Sequence, residues 1–176
     1  MNKKTAGFTL IEVIIVIAII GITAAFAIPT FVKQLPNWRA KSAATDLFSN
    51  LQLAKLTAIQ KATDCAVTFT GATNQYQIIL ADSGQVVKTV SLADYGSEIE
   101  FRGPEPEYRR YDSNPLTAAS YTLTFNSRGM ITGNAGFVYF SSGKHADLAP
   151  EKIYYRAGAT IAGVIQMQRR EGDQFK

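Results

Sequence analysis

The chain has 176 residues, 47% hydrophobic and 18% charged, a balance near the globular mean that excludes global disorder, a collagen-like repeat and a low-complexity filament. Eighteen Lys and Arg against fourteen Asp and Glu give a formal charge of +4; Lys3 and Lys4 supply two of the positive charges, so the rest lacks the basic stripe that phosphate-backbone binding needs. A single cysteine, Cys65, excludes an intrachain disulfide, and with a single histidine, His145, a zinc site of the usual Cys- and His-rich kind lacks ligands.

The apolar content is concentrated near the N-terminus. From Val13 to Ile28 there is no charge and one hydroxyl, Thr23. As a helix, the run Phe8 to Ile28 would rise about 32 Å, close to the hydrocarbon thickness of a bilayer. Three readings compete. Lys3 and Lys4, the run Val13 to Ile22 and Ala25-Phe26-Ala27 fit the parts of a cleaved secretory signal. A plain signal anchor is the second, and it leaves the acid Glu12 unexplained, since a carboxylate in an apolar segment is costly and reads as functional. The third is a leader cut before the run, so that the run is retained.

Gly7-Phe8-Thr9-Leu10-Ile11-Glu12 followed by an unbroken apolar stretch resembles the type III leader of type IV pilins and type II secretion pseudopilins. The resemblance implies cleavage between Gly7 and Phe8 by a prepilin peptidase, N-methylation of Phe8, and a single-pass protein of the bacterial inner membrane with its C-terminal domain in the periplasm. Pro29 also stands where the family carries a proline, and its missing amide proton gives the helix a place to kink or loosen. Cleavage would create an ammonium on Phe8. Where such helices pack side by side, Glu12 of one would meet the ammonium of its neighbour, neutralising two charges that are each costly in an apolar bundle. The alternative is that Glu12 lies at headgroup depth and is solvated there. The implied partners are therefore the peptidase, other pilin or pseudopilin subunits and inner-membrane lipid.

After Pro29 and Pro36, apolar residues recur at steps of three and four: Ala40, Ala43, Ala44, Leu47, Phe48, Leu51, Ala54, Ala58 and Ile59. Arg39, Lys41, Asp46, Asn50, Lys55 and Lys61 fall on the opposite, polar face of an amphipathic helix. Downstream the period becomes alternating. Strands are expected at Ala66 to Thr70, Tyr76 to Leu80, Val86 to Leu92, Ile99 to Phe101, Tyr121 to Phe125, Phe137 to Phe140, Ile153 to Arg156 and Ile161 to Gln168, with turns that include Gly71 to Asn74, Asp82 to Gly84, Ser127 to Gly129, Ser141 to Gly143 and Gly158-Ala159. So many strands favour two sheets packed on the helix. The segment Arg102 to Thr117, with Pro104, Pro106 and Pro115 and with Tyr108 and Tyr111, reads as an exposed loop.

The fold class is thus α+β and pilin-like: a leader over 1–7, a transmembrane or filament-core helix over 8–28, an amphipathic helix over 29–61 and a β-rich periplasmic domain over 62–176. The β-rich part resembles the GspH/FimT branch of minor pilins and pseudopilins, in the alanine and leucine pattern of the second helix, the stretch Phe125 to Gly129 before Phe137 to Phe140, and the last strand running into Gln168-Arg169. The resemblance implies a structural subunit that helps initiate or cap a filament of a type IV pilus or a type II secretion system. Some members of that branch bind DNA through a basic C-terminal tail, so Arg169, Arg170 and Lys176 form the alternative, a DNA-binding surface. Glu171 and Asp173 dilute it, and a frayed polar tail is the plainer expectation.

No enzyme is expected. His145 sits in a turn-like stretch, Glu98 with Glu100 and Glu105 with Glu107 read as solvated pairs, and there is no phosphate-binding glycine loop or Cys-x-x-Cys. Cys65 reads as a small buried residue. Neither a cofactor nor a metal nor a small-molecule substrate is implied.

Overall fold

The structure, a computed structural model, describes residues 8–103, 120–142, 154–171 and 174–176. One helix, α1, runs from Leu10 to Lys61. Thr9 caps its start: Oγ1 accepts the Glu12 amide at 3.3 Å, satisfying one of the donors that every helix N-terminus leaves unpaired. The helix passes Pro29 and Pro36 without interruption, although each proline removes an amide from the ladder. Two compact units divide along it, one ending at Leu35 and the other spanning Pro36–Lys176.

In the first unit nearly every described side chain is exposed, and the segment is long and apolar enough to cross a membrane. Its hydroxyls are satisfied locally. Thr23 donates to the carbonyls of Ile19 and Ile20 at 2.9 and 3.0 Å, and Thr30 to that of Phe26 at 3.2 Å, so neither brings an unpaired donor into an apolar environment.

Among the described residues of the second unit ten strands follow the helix: β1 Cys65–Thr70, β2 Gln75–Leu80, β3 Val86–Ser91, β4 Ile99–Phe101, β5 Ser120–Phe125, β6 Ile131–Thr132, β7 Gly136–Ser142, β8 Tyr154–Ala159, β9 Ile165–Glu171 and β10 Gln174–Phe175. A 3-10 helix, Leu92–Tyr95, joins β3 to β4. All pairings are antiparallel and build two five-stranded sheets, ordered β3-β2-β1-β5-β6 and β10-β9-β8-β7-β4. The helical stripe Ala40, Ala43, Ala44, Leu47, Leu51, Ala54 and Ala58 is buried against the inner faces of both sheets. That stripe is mostly alanine, and the larger buried side chains come from the sheets, many of them aromatic rings. Phe69 of β1 meets Tyr76 at 5.6 Å, Tyr121 at 6.1 Å and Phe101 of the other sheet at 5.9 Å, and Phe101 meets Phe140 at 5.4 Å. This aromatic chain ties one sheet to the other.

The α+β plan with two antiparallel sheets on the helix is as expected, and several local expectations are corrected. Gly158-Ala159 is not a turn: it ends β8, where a Cβ on Gly158 would stand 2.0 Å from the Gly136 carbonyl oxygen. That glycine serves close strand approach, and the turn falls at Thr160 to Val164, leaving Ile161 outside any strand. Strands β6 and β10 were too short to leave an alternating pattern. The tail is not frayed, because β10 pairs with β9 and the amide and carbonyl of Lys176 both bond to Arg169 at 2.9 Å. Ile59 is exposed rather than part of the buried stripe, and Asn50, placed on the polar face, is buried. Gly7, residues 104–117 with Tyr108 and Tyr111, Glu105, Glu107, Gly143, His145, Ile153 and Asp173 lie outside the described residues.

Candidate functional site

Four regions of the described chain carry the polar networks and exposed side chains that bear on function. The first is the start of α1. Phe8 is exposed, and Glu12 lies in the first helical turn with its amide held by Thr9. Thr9-Leu10-Ile11-Glu12 has the spacing of a capping box, a signal that the sequence carries and that an argument from charge alone misses. Glu12 thus favours the helix start both by position and as an acid at the positive end of the helix dipole. Pro29 sits in the same exposed segment.

The C-terminal surface is the second region. Arg169 and Arg170 are neighbours on β9 and therefore leave opposite faces of the sheet. Arg169 is opposite Tyr155 and exposed, whereas Arg170 is half-buried and lies 5.7 Å over the ring of Tyr154. Beside it Arg156 is sandwiched, its guanidinium 4.4 Å from the Phe137 ring and 4.5 Å from the Phe175 ring, with Nε donating to Gln168 at 2.7 Å. Phe175 also meets Tyr139 edge-on at 5.5 Å. The Arg156 contact and Tyr139 hold the Phe175 ring of β10 over the face of its own sheet. The structure does not gather Arg169 and Arg170 into one basic patch.

Around the second half of α1 lies the third region. Asp46 Oδ2 accepts from Tyr95 Oη at 2.6 Å, from Asn50 Nδ2 at 2.8 Å and from Tyr76 Oη at 3.4 Å, and Lys88 Nζ donates to Asn50 Oδ1 at 2.9 Å. Burial pushes the Tyr76 hydroxyl far above the usual tyrosine range, partly opposed by the bond that Asn50 Nδ2 donates to Tyr76 Oη at 2.6 Å; for Tyr95 burial and then the bond to Asp46 act in the same direction. This network clamps β2, β3 and the 3-10 helix onto α1. Glu98 is likewise not solvated. It is 7% exposed and paired with Arg39 of α1, while Glu100 pairs with Arg102 at 3.2 Å. Cys65 is buried, as expected, and burial pushes its thiol up. Among the described residues no cluster of His, Cys, Asp and Glu has the arrangement of a metal site.

At the end of α1 two five-residue turns share one design. In Asn126 to Met130 and in Thr160 to Val164, the first residue's amide donates to the fifth residue's carbonyl, at 2.9 and 3.0 Å, and the fourth residue is a left-handed glycine, Gly129 at φ 74° and Gly163 at φ 72°. The first side chain braces each turn: Asn126 Oδ1 accepts the amides of Arg128 and Met130, and Thr160 Oγ1 that of Val164. The turns are joined by the Ile131 amide donating to the Ile161 carbonyl at 3.1 Å, and to the helix by Lys55 Nζ donating to the Gly163 carbonyl at 2.8 Å.

Residues 43–152, more than half of the chain, match the family described as type II transport protein GspH. The chain belongs to the GspH family. It is of the minor pilin and pseudopilin class, and residues 2–28 match the prokaryotic N-terminal methylation motif. Among curated relatives it is 52% identical over 46 residues to the type IV major pilin protein PilA of Myxococcus xanthus, covering 26% of this chain and 21% of that one. It is also 37% identical over 81 residues to a fimbrial protein of Pseudomonas aeruginosa, covering 46% and 52%. The chain thus spans about a fifth and about half of the length of these relatives. Among solved structures it is similar to the minor pseudopilin EpsH of the Vibrio cholerae type 2 secretion system, with 18% identity, 73% of this chain and 95% of that one covered, and a TM-score of 0.51. The type IV minor pilin FimU of Pseudomonas aeruginosa gives 15% identity, 77% and 96% coverage and a TM-score of 0.50. At these identities the likeness is one of fold: a long N-terminal helix on two antiparallel sheets.

Proposed function

We propose that this GspH-family chain is a structural, non-catalytic subunit: cleaved after Gly7 by a prepilin peptidase, methylated on Phe8, held in the inner membrane by its Phe8 to Ile28 segment with the β-rich unit in the periplasm, and then drawn into a pilus or pseudopilus where it helps initiate or cap the filament. The observation that carries this reading is the first unit of α1, an almost wholly exposed apolar helix with one acid, Glu12, a single turn from Phe8. An apolar surface of that length requires lipid or other helices around it, and a carboxylate at its start requires a positive partner or headgroup water. The apolar helix of a neighbouring subunit meets the first need, and its Phe8 ammonium meets the second.

Mass measurement of the chain extracted from membranes tests the processing step. A species beginning at Phe8 and carrying one added methyl is expected. A chain beginning at Ile28 would mark a secretory signal and make the protein a soluble secreted domain.

A further inference from the structure

Among the described residues of the second unit, a group of exposed apolar side chains serves no packing in the fold. Leu56 and Ile59 on the last turns of α1, Met130 closing one of the twin turns, and Ile161 and Val164 in the other are all exposed, Ile161 by 72%. They are neighbours. A Cβ on Gly129 would stand 2.9 Å from Ile59 Cδ1 and 2.8 Å from Lys55 Cε, and one on Gly163 would stand 1.9 Å from the Gly129 carbonyl oxygen. The two glycines therefore bring helix end and turns into one continuous surface. Neither turn needs its apolar residues: the bracing is done by Asn126, Thr160 and the glycines, and Ile161 makes no use of its side chain in the core. Clustered exposed aliphatics of this kind mark a contact surface.

Three properties narrow the occupant. Leu56 lies about 30 Å of helix beyond Pro36, where the membrane-competent segment joins this unit, so lipid held at that junction does not reach it. The three segments that build the surface, 55–64, 126–130 and 160–164, carry the cations Lys55, Lys61 and Arg128 against one acid, Asp64. A symmetric contact between two copies would set Lys61 and Arg128 against themselves. What remains is a heterologous protein surface with an apolar centre and an acidic border.

We infer that the end of the second unit formed by Leu56, Ile59, Met130, Ile161 and Val164, bordered by Lys61 and Arg128, is the docking surface for the globular part of a different leader-bearing subunit whose facing surface is apolar with an acidic rim. The inference rests on the subunit reading above. It places a head-on contact at this end of the unit, separate from the side-by-side packing of the apolar helices.

The test uses the full chain in the membranes of its host, with cysteine at Ile161 and, in a separate chain, at Ile19 of the apolar helix; native Cys65 is buried and stays silent. Crosslinking from position 161 to a second leader-bearing subunit, mapped to an acid-flanked apolar site on it, is expected. Adding Lys61→Glu and Arg128→Glu should lower the yield about tenfold, while crosslinking from position 19 persists. Crosslinking from 161 to a second copy of this chain or to lipid, or none at all while position 19 captures subunits, overturns the inference and leaves the subunit reading standing. Failure at both positions overturns the subunit reading and the inference with it.

Discussion

A Cβ placed on Gly163 would stand 1.9 Å from the carbonyl oxygen of Gly129, and both glycines hold left-handed backbones. Gly163→Ala therefore meets rigid backbone as well as an unfavourable φ, and the expected loss of stability exceeds about 3 kcal/mol. Gly129→Ala meets only the far ends of Lys55 and Ile59, which can move, so it should cost about 1 to 2 kcal/mol. Gly84→Ala, at φ 66° with open space around it, should cost about 1 kcal/mol. Urea denaturation of the three variants checks the order; equal losses would show that the two turns are not in contact.

The cluster around Asp46 should behave as a unit. Asp46→Ala deprives Tyr95, Tyr76 and Asn50 of an acceptor and should cost about 2 to 3 kcal/mol, whereas Tyr95→Phe, which removes one donor and leaves the others satisfied, should cost about 1 kcal/mol. A double-mutant cycle between Asp46 and Tyr95 should give a coupling of about 1 kcal/mol. Additive losses would mean that the hydroxyl and carboxylate act independently.

Alkaline pH probes the same cluster. Tyr76 and Tyr95 hold their protons beyond the ordinary value of 10.0, so the unfolded chain releases tyrosine protons first. The stability they contribute is intact below pH about 10 and is lost as the pH rises above it. In a chain carrying Tyr76→Phe and Tyr95→Phe, stability should start lower and fall less steeply above that pH. An unchanged slope in chemical denaturation would assign the alkaline loss to other groups.

Much of this fold was legible in the residues and some was not, for physical reasons. The stripe Ala40 to Ala58 and strands β1, β2 and β4 follow periodicity, because each has one face in a core. Asn50 escaped because amphipathicity treats every polar residue as solvated, whereas Asp46, Tyr76 and Lys88 supply it with partners from distant chain positions. Gly158 escaped because a glycine that admits a neighbouring strand looks in sequence like one that turns the chain. At the N-terminus, Gly7 to Glu12 carry the family resemblance, and the spacing of Thr9 and Glu12 matches the cap that the structure shows. No periodicity marks the surface at Ile161, since it is assembled from three separate segments.

The compact unit from Pro36 onward keeps the buried helical stripe and omits the exposed apolar segment. A chain beginning at Pro36 should be soluble, folded and monomeric or weakly associating. Light scattering and circular dichroism check this; aggregation of such a chain would move the boundary.

The central claim is that Glu12 and the apolar helix exist for assembly as well as for anchoring. In full-length Glu12→Ala, a buried pair with the Phe8 ammonium of a neighbour would lose one member and leave the other charge uncompensated, a loss that reaches about 3 to 5 kcal/mol for a fully buried pair. Insertion should be unharmed, since removing a carboxylate from an apolar segment eases it. The decisive measurement is membrane fractionation combined with crosslinking to filament subunits: the variant should be processed, membrane-resident and folded, yet lost from filament complexes, or reduced in them if the subunit sits at a tip with a neighbour on one side only. Incorporation equal to that of the native chain would contradict the account and leave Glu12 as a helix cap solvated at the headgroups.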